Sequence, residues 1–239
     1  AGPGAPQHQH ADGVGEGAAG HGMAFGDQPL RCLVVGGQQR LEGREVARVP
    51  QDFDEAFYWF HKAASQGHPP ALYQLGQCYE LGRGTAANEE SAIESYRRAA
   101  DLGVAEAQLA LALLLRRSPQ FAEDADEYFH WLQRAAQHGN TQAQWELGNE
   151  YFTGENRDQD DESAARWFEQ AARQKHPAAV YGYAFLLYHG RGVPQSIEEA
   201  ARLFREAAEL GSPEGQCTLG QLYLEGTVRK RNPVKAVKC

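Results

Sequence analysis

The chain repeats itself with a period of 36 residues. The dipeptide Ala-Ala stands at 63–64, 99–100, 135–136, 171–172 and 207–208. Glycine follows at 67, 103, 139 and 211, with Lys175 in the one divergent slot. A small residue comes next at Ala71, Ala107, Ala143, Ala179 and Gly215. Leu-Gly recurs at 75–76, 147–148 and 219–220, replaced by Leu111-Ala112 and Tyr183-Ala184 in the units between. Tyr79, Leu115, Tyr151, Leu187 and Tyr223 hold one further register. Gly82, Gly154, Gly190 and Gly226 close the unit, with Ser118 in the remaining slot. So many registers agreeing at one period make this a repeat protein, and an array of similar units is the only fold class consistent with it.

The punctuation keeps the same period and says what each unit is. Asp52, Asn88, Asp124, Asp160, Ser196 and Asn232 are spaced 36 apart. All are residue types whose side-chain oxygen caps a helix by accepting from an orphan N–H of the first turn. Glu55, Glu127 and Glu199 follow three residues after their caps, which predicts capping boxes. Ala56, Ala92, Ala164 and Ala200 then open amphipathic stretches that end in Ala-Ala. The glycine three residues on suits a left-handed position just past a helix C-terminus. Pro69, Pro177 and Pro213 share a register just beyond it, in the first turn of a second helix. Each unit is therefore two helices joined by a tight turn, with a looser glycine-containing loop leading on.

A two-helix hairpin cannot cover its own apolar stripe, so neighbouring hairpins must stack into an all-α superhelix, a solenoid. The Ala and Gly registers let helix axes approach, and larger side chains fill the space between. Trp59, Trp131 and Trp167 share one position; Phe60, Tyr96, Phe168 and Phe204 share the next. The 42% hydrophobic content is enough for such a core. A net charge of −9 argues against nucleic-acid binding by the chain as a whole. Cysteines at 32, 78, 217 and 239 are too few and too scattered for a disulfide framework. The longest apolar run, Leu109 to Leu115, is far short of the roughly 20 residues that span a bilayer. No N-terminal run has the build of a signal peptide. A cytoplasmic protein is the expectation; the endoplasmic-reticulum lumen or periplasm is the alternative if a signal peptide precedes Ala1.

The period also sets the domain reading. Residues 1–28 form a Gly/Ala/His-rich tail with too little apolar surface to order itself. Residues 29–50 read as a degenerate half-repeat and loop, since LVVGGQQRLEG at 33–43 parallels CTLGQLYLEG at 217–226. Residues 51–226 hold five repeats, and 227–239 form a basic tail opening a truncated sixth at Asn232, Lys235 and Ala236. That tail carries Arg229, Lys230, Arg231, Lys235 and Lys238 without an acidic residue, a charge of +5 that leaves −14 on the rest. The cluster reads as a nuclear address, an anion patch or a solvated loop. The only methionine is Met23, so either Met23 is the true start or the chain is a fragment. Solenoids need a terminal cap, and continuation beyond Cys239 is expected. A monomer is expected unless the uncapped last repeat pairs.

Signals of chemistry are few. The sequence has no Gly-rich phosphate loop, no His-Glu-x-x-His and no Cys-x-x-Cys. Gly82-Arg83-Gly84 and Gly190-Arg191-Gly192 are loop signals of the repeat. His61, His68, His130, His138, His176 and His189 show no nucleophile spacing. The acidic run from Asp158 to Glu162 sits at a predicted helix start, where carboxylates favour the macrodipole, and lacks the spacing of a calcium loop. The expectation is a non-enzyme without cofactor or metal.

The segments ALYQLGQCYELGRG at 71–84, EESAIESYRRAADLG at 89–103, QAQWELGNEYFTG at 142–154, SAARWFEQAA at 163–172 and EEAARLFREAAELGSPEGQCTLGQLYLEG at 198–226 resemble the Sel-1-like repeat family. These are relatives of the tetratricopeptide repeats, whose own period is about 34. The resemblance runs from about residue 50 to 239, with an echo from 33. It departs most in the second unit, at Leu111-Ala112, Ser118 and Gln120. The cysteine-rich bacterial branch is disfavoured, because no paired cysteines recur. The resemblance implies an adaptor or scaffold, of the kind found in endoplasmic-reticulum quality control, bacterial signalling and secretion, and repeat modules attached to enzymes. The rival expectation is the regulatory repeat module of a larger enzyme, for example a kinase, with its catalytic domain outside this chain.

In related repeats the helix carrying Leu-Gly lines the concave surface. Carried over by register, the outward positions are Tyr73, Gln77 and Glu80, then Leu109, Leu113 and Arg116. The third unit supplies Trp145, Asn149 and Phe152, the fourth Tyr181, Phe185 and Tyr188, and the fifth Cys217, Gln221 and Leu224. The middle of this set is strongly aromatic, and aromatic residues often dominate interface energy. The third and fourth units are therefore expected to hold a peptide or helix of a protein partner. The alternative is that some of these side chains pack between neighbouring helices.

Overall fold

The computed structural model describes residues 51–122, 126–155 and 158–226. The readings of 1–28, 29–50 and 227–239, and the caps assigned to Asp124 and Asn232, lie outside the described residues. Within them the chain forms helices in pairs and no strand. The pairs are α1 (Phe53–Ser65) with α2 (Pro69–Leu81), α3 (Glu89–Asp101) with α4 (Ala105–Arg117), and α5 (Glu127–Gln137) with α6 (Thr141–Thr153). Next come α7 (Asp161–Arg173) with α8 (Pro177–His189) and α9 (Ile197–Glu209) with α10 (Pro213–Glu225). A 3-10 turn, Pro119–Phe121, follows α4. Each helix packs chiefly against the helix before it and the helix after it in the chain, as in a solenoid.

The 36-residue punctuation has a direct structural cause. The Ala-Ala pair supplies the last carbonyls of each odd-numbered helix. After α1, His68 N–H donates to the Ala63 carbonyl at 3.2 Å and Gly67 N–H to that of Ala64 at 2.9 Å. The same two bonds close α3, α5, α7 and α9. This is the reciprocal pair that satisfies orphan carbonyls when the following residue turns left-handed. The alanines are small because the turn packs into the array: Ala99, Ala100, Ala135, Ala171 and Ala207 are fully buried.

The caps follow the register, with corrections. Asp52, Asn88, Asp160 and Ser196 each accept from a first-turn backbone N–H. The even-numbered helices have their own period of caps, which the sequence reading missed: His68, Asn140, His176 and Ser212. The capping boxes are only half formed. The Glu55 and Glu199 backbones are capped, but their side chains turn to Trp59 and Arg202. Glu127 is not at the third helical position. It opens α5 after Asp126, is buried, and accepts from Arg97 at 2.7 Å and from the Trp131 indole at 3.1 Å. Trp59 does not fill space as Trp131 does: it is 56% exposed, against 9% for Trp131.

A second internal period links the units. Gln108 and Gln144 are buried and donate to the carbonyls of Ala100 and Ala136. Their own carbonyls meet His138 and Gln174 from the next turn, at 2.9 Å each. A buried amide is expensive unless both ends are satisfied. These glutamines are therefore positioned by two successive units together.

Candidate functional site

The positions carried over by register lie on the even-numbered helices, and their environments differ along the array. In the first two pairs they are occupied by contacts within the chain. Gln77 donates to the Tyr73 hydroxyl at 2.8 Å, and Tyr73 packs on Tyr96 with ring centroids 5.8 Å apart. Burial pushes the Tyr73 pKa up, helped by Glu106 and Glu80. Glu80 accepts from the Tyr96 hydroxyl at 2.8 Å. Leu109 and Leu113 are half-buried, and Leu109 packs on the core. Arg116 is exposed but bridges Glu146 and Glu150 on α6, at 3.3 Å each. At the far end Cys217, Gln221 and Leu224 are exposed, and Tyr188 packs against Phe204 at 6.2 Å.

Between these ends α6 and α8 frame a cavity of about 280 Å³. Trp145, Asn149 and Phe152 line it from α6, and Tyr181 and Phe185 from α8. Phe168, Ala178, Gly182 and Glu214 complete the lining, and sequence reasoning selected none of them for this face. Phe168 forms its floor from α7, only 3% exposed. Two glycines make that possible. A β-carbon on Gly148 would lie 2.6 Å from the Phe168 ring, and one on Gly182 would lie 3.1 Å from it. Both fall inside van der Waals contact, so the ring seats only because the facing helices carry no side chain there. The Leu-Gly register announced Gly148. Gly182 stands alone in its register and was the available signal.

The rings hold one another in place. Phe152 meets Phe185 edge to face, with centroids 5.8 Å apart at 89°. Tyr181 leans on Phe204 at 5.6 Å. Trp145 stacks on His176 at 5.5 Å and 26°. These offset and edge-on contacts are the preferred aromatic geometries, and they fix the wall before anything binds.

Arg191 and His176, beside the cavity, are already committed. Arg191 lies 4.7 Å over the Phe152 ring and clamps Asp161 with bonds of 2.8 and 2.7 Å. That clamp holds the Asp161 carboxyl below its usual range and the guanidinium above its own. His176 caps α8: its Nδ1 accepts from Ala179 N–H at 3.3 Å, so Nε2 carries the proton and donates to Gln142 at 3.1 Å. Burial pushes its pKa down, against the pull of Glu146. Burial and the Nδ1 cap together favour the neutral form of the imidazole beside Trp145. A wider cavity of about 410 Å³ is lined by Lys175, Arg202, Arg205, Glu206, Glu209 and Leu210. Its mixed charges suit water, whereas the α6–α8 cavity offers apolar walls.

The Sel1 repeat model matches residues 39–68, 69–104, 105–140, 141–176, 177–212 and 213–239. The chain belongs to the Sel1 repeat family. Each complete match opens at an even-numbered helix, so the family unit begins with the helix that lines this face. Sel1 repeat proteins generally act through protein–protein interaction. The chain is similar to a Sel1 repeat protein from Oxalobacter formigenes, 28% identical with a TM-score of 0.72, covering 80% of this chain and 78% of that one. It is also similar to a protective antigen of uropathogenic Escherichia coli with an SLR fold, 28% identical with a TM-score of 0.74, covering 80% of this chain and 41% of that one.

Among curated proteins, an uncharacterized protein of Neisseria meningitidis is 40% identical over 90 residues, 37% of this chain and 18% of that one. Chitin synthase regulatory factor 3 of Schizosaccharomyces pombe is 31% identical over 83 residues, 35% of this chain and 9% of that one. DAP3-binding cell death enhancer 1 of Mus musculus is 32% identical over 119 residues, 34% of this chain and 23% of that one. The matches thus span less than a quarter of each of these relatives. Among the described residues no helix is long and apolar enough to cross a membrane.

Proposed function

We propose that this Sel1 repeat protein is a non-enzymatic interaction scaffold that holds a peptide or helix of a protein partner on the even-helix face, seated at α6 and α8. The α6–α8 cavity carries this reading: it gathers Trp145, Asn149, Phe152, Tyr181 and Phe185 around one apolar hollow. Large rigid rings lose little entropy on binding and give much contact area, which suits them to anchor a partner. The positions on the first two pairs, already engaged within the chain, then act as flanking surface.

Affinity capture from native lysate tests the reading, with the wild-type chain beside the Trp145→Ala/Tyr181→Ala double variant. Both are first shown to be folded by circular dichroism. A partner held by the wild type and lost by the folded variant is the expected outcome. Equal capture by both would move the binding surface elsewhere, and unfolding of the variant would assign these rings to the core. A second reading, a regulatory module of a larger enzyme, draws support from the similarity to chitin synthase regulatory factor 3 and from the small share of that protein that this chain spans. A catalytic domain in the flanking coding sequence would favour it.

A further inference from the structure

We propose that the α6–α8 cavity takes the long cationic side chain of the partner peptide, an arginine or lysine whose stem lies among the rings and whose head pairs with Glu214. The inference rests on the reading of this face as a peptide-binding surface and supplies its ligand chemistry. Trp145, Phe152, Tyr181 and Phe185 present ring surface around one hollow. Aromatic faces attract guanidinium and ammonium groups, and the methylene stem of such a side chain is itself apolar. Glu214, from the first turn of α10, is the one carboxylate in the lining. It is exposed, and it accepts from the neutral Ser212 hydroxyl at 2.9 Å, so its charge is open to a cation.

The cations already near the cavity do not compete for that carboxylate. Arg191 is clamped by Asp161. His176 spends Nδ1 as a helix cap, which favours its neutral form. Asn149, half-buried at the cavity wall, has a side-chain amide with no hydrogen bond among the described residues, and an extended peptide backbone supplies both a donor and an acceptor for it. The long-range field has the matching sign. The chain carries −9 overall, which favours encounter with a basic segment. A purely apolar anchor would bury against the rings but leave the Glu214 carboxylate without use.

The test is a random short-peptide display library panned on the intact chain, with selected peptides measured by fluorescence polarisation. Binding is compared for wild type, Glu214→Gln, Glu214→Lys and the folded Trp145→Ala/Tyr181→Ala variant. The expected result is a shared arginine or lysine in the selected peptides, whose replacement by leucine weakens binding. Glu214→Gln should then lower affinity by about two- to fivefold, Glu214→Lys by more, and added salt should weaken binding. Selected peptides with an apolar residue at the shared position, indifferent to Glu214→Lys yet lost with the double variant, would overturn the cation assignment and keep the face as a binding surface. Selected peptides indifferent to the double variant, or a selection that yields none, would overturn both.

Discussion

Lys175 occupies the slot that glycine fills at 67, 103, 139 and 211, and it adopts the same left-handed backbone, φ 62°. The turn holds it there: Lys175 N–H donates to Ala172 at 2.8 Å and His176 N–H to Ala171 at 3.1 Å. A side chain in this conformation costs about 1–2 kcal/mol, while glycine forfeits about 0.4–1 kcal/mol of unfolded-state entropy. Lys175→Gly should therefore raise stability by about 0.5–1 kcal/mol, read as a higher urea midpoint with unchanged slope. The same scale decides the response to acid. Hydrogen bonds from Arg191 hold the Asp161 carboxyl down, and Asp160, the α7 cap, is shifted the same way by Ser163. A lowered folded-state pKa contributes stability that is complete above the unfolded value, about 3.9, and is lost as pH falls through the folded one. Asp161→Asn should reduce stability at pH 7 and flatten the decline between about pH 5 and pH 2, measured as urea midpoint against pH.

The helices themselves are short, thirteen residues in nine of the ten described α-helices, and such lengths are marginal as isolated helices in water. Their stability comes from the buried alanine faces and from caps at both ends. Ala100 and Ala136 are 0% and 1% exposed, and each sits where an odd helix turns into the even one. Ala136→Leu should overpack that junction and cost about 1–3 kcal/mol, seen as a lower melting temperature. It should also disturb Gln144, which donates to the Ala136 carbonyl at 3.1 Å. At the start of α5 the glutamate does not close a capping box. There Glu127 is buried and accepts from Arg97 and Trp131, so its side chain is engaged across units.

Across the whole array, coupling runs mainly between neighbouring helices, so a defect should spread only a short way. Phe168 is the sharpest probe, because it touches both helices that frame the cavity. Phe168→Ala should cost about 3–5 kcal/mol. Hydrogen exchange should accelerate in α6, α7 and α8 while α1 to α3 keep near-native protection. Uniform acceleration along the chain would mean the array unfolds as one unit. Collapse of the cavity in this variant should also abolish whatever binding depends on Trp145 and Tyr181.

The sequence alone determined the helical-repeat fold, because a repeat writes its constraints at every copy. Ala-Ala marks five successive helix ends, four of them followed by glycine, and proline marks three helix starts. Those are local backbone requirements, legible without knowing what lies across the core. The candidate site was legible only in part. Register placed Trp145, Asn149, Phe152, Tyr181 and Phe185 on one set of helices, since positions a whole period apart share a face. It did not show that Phe168 crosses from α7 to make the floor, that Gly182 admits it, or that Glu214 reaches the rim from α10. Nor did it show that Gln77 and Arg116 are engaged at home. Such features come from side chains of different helices meeting in space, where volume and charge are balanced between units, and a one-dimensional period carries no record of that balance.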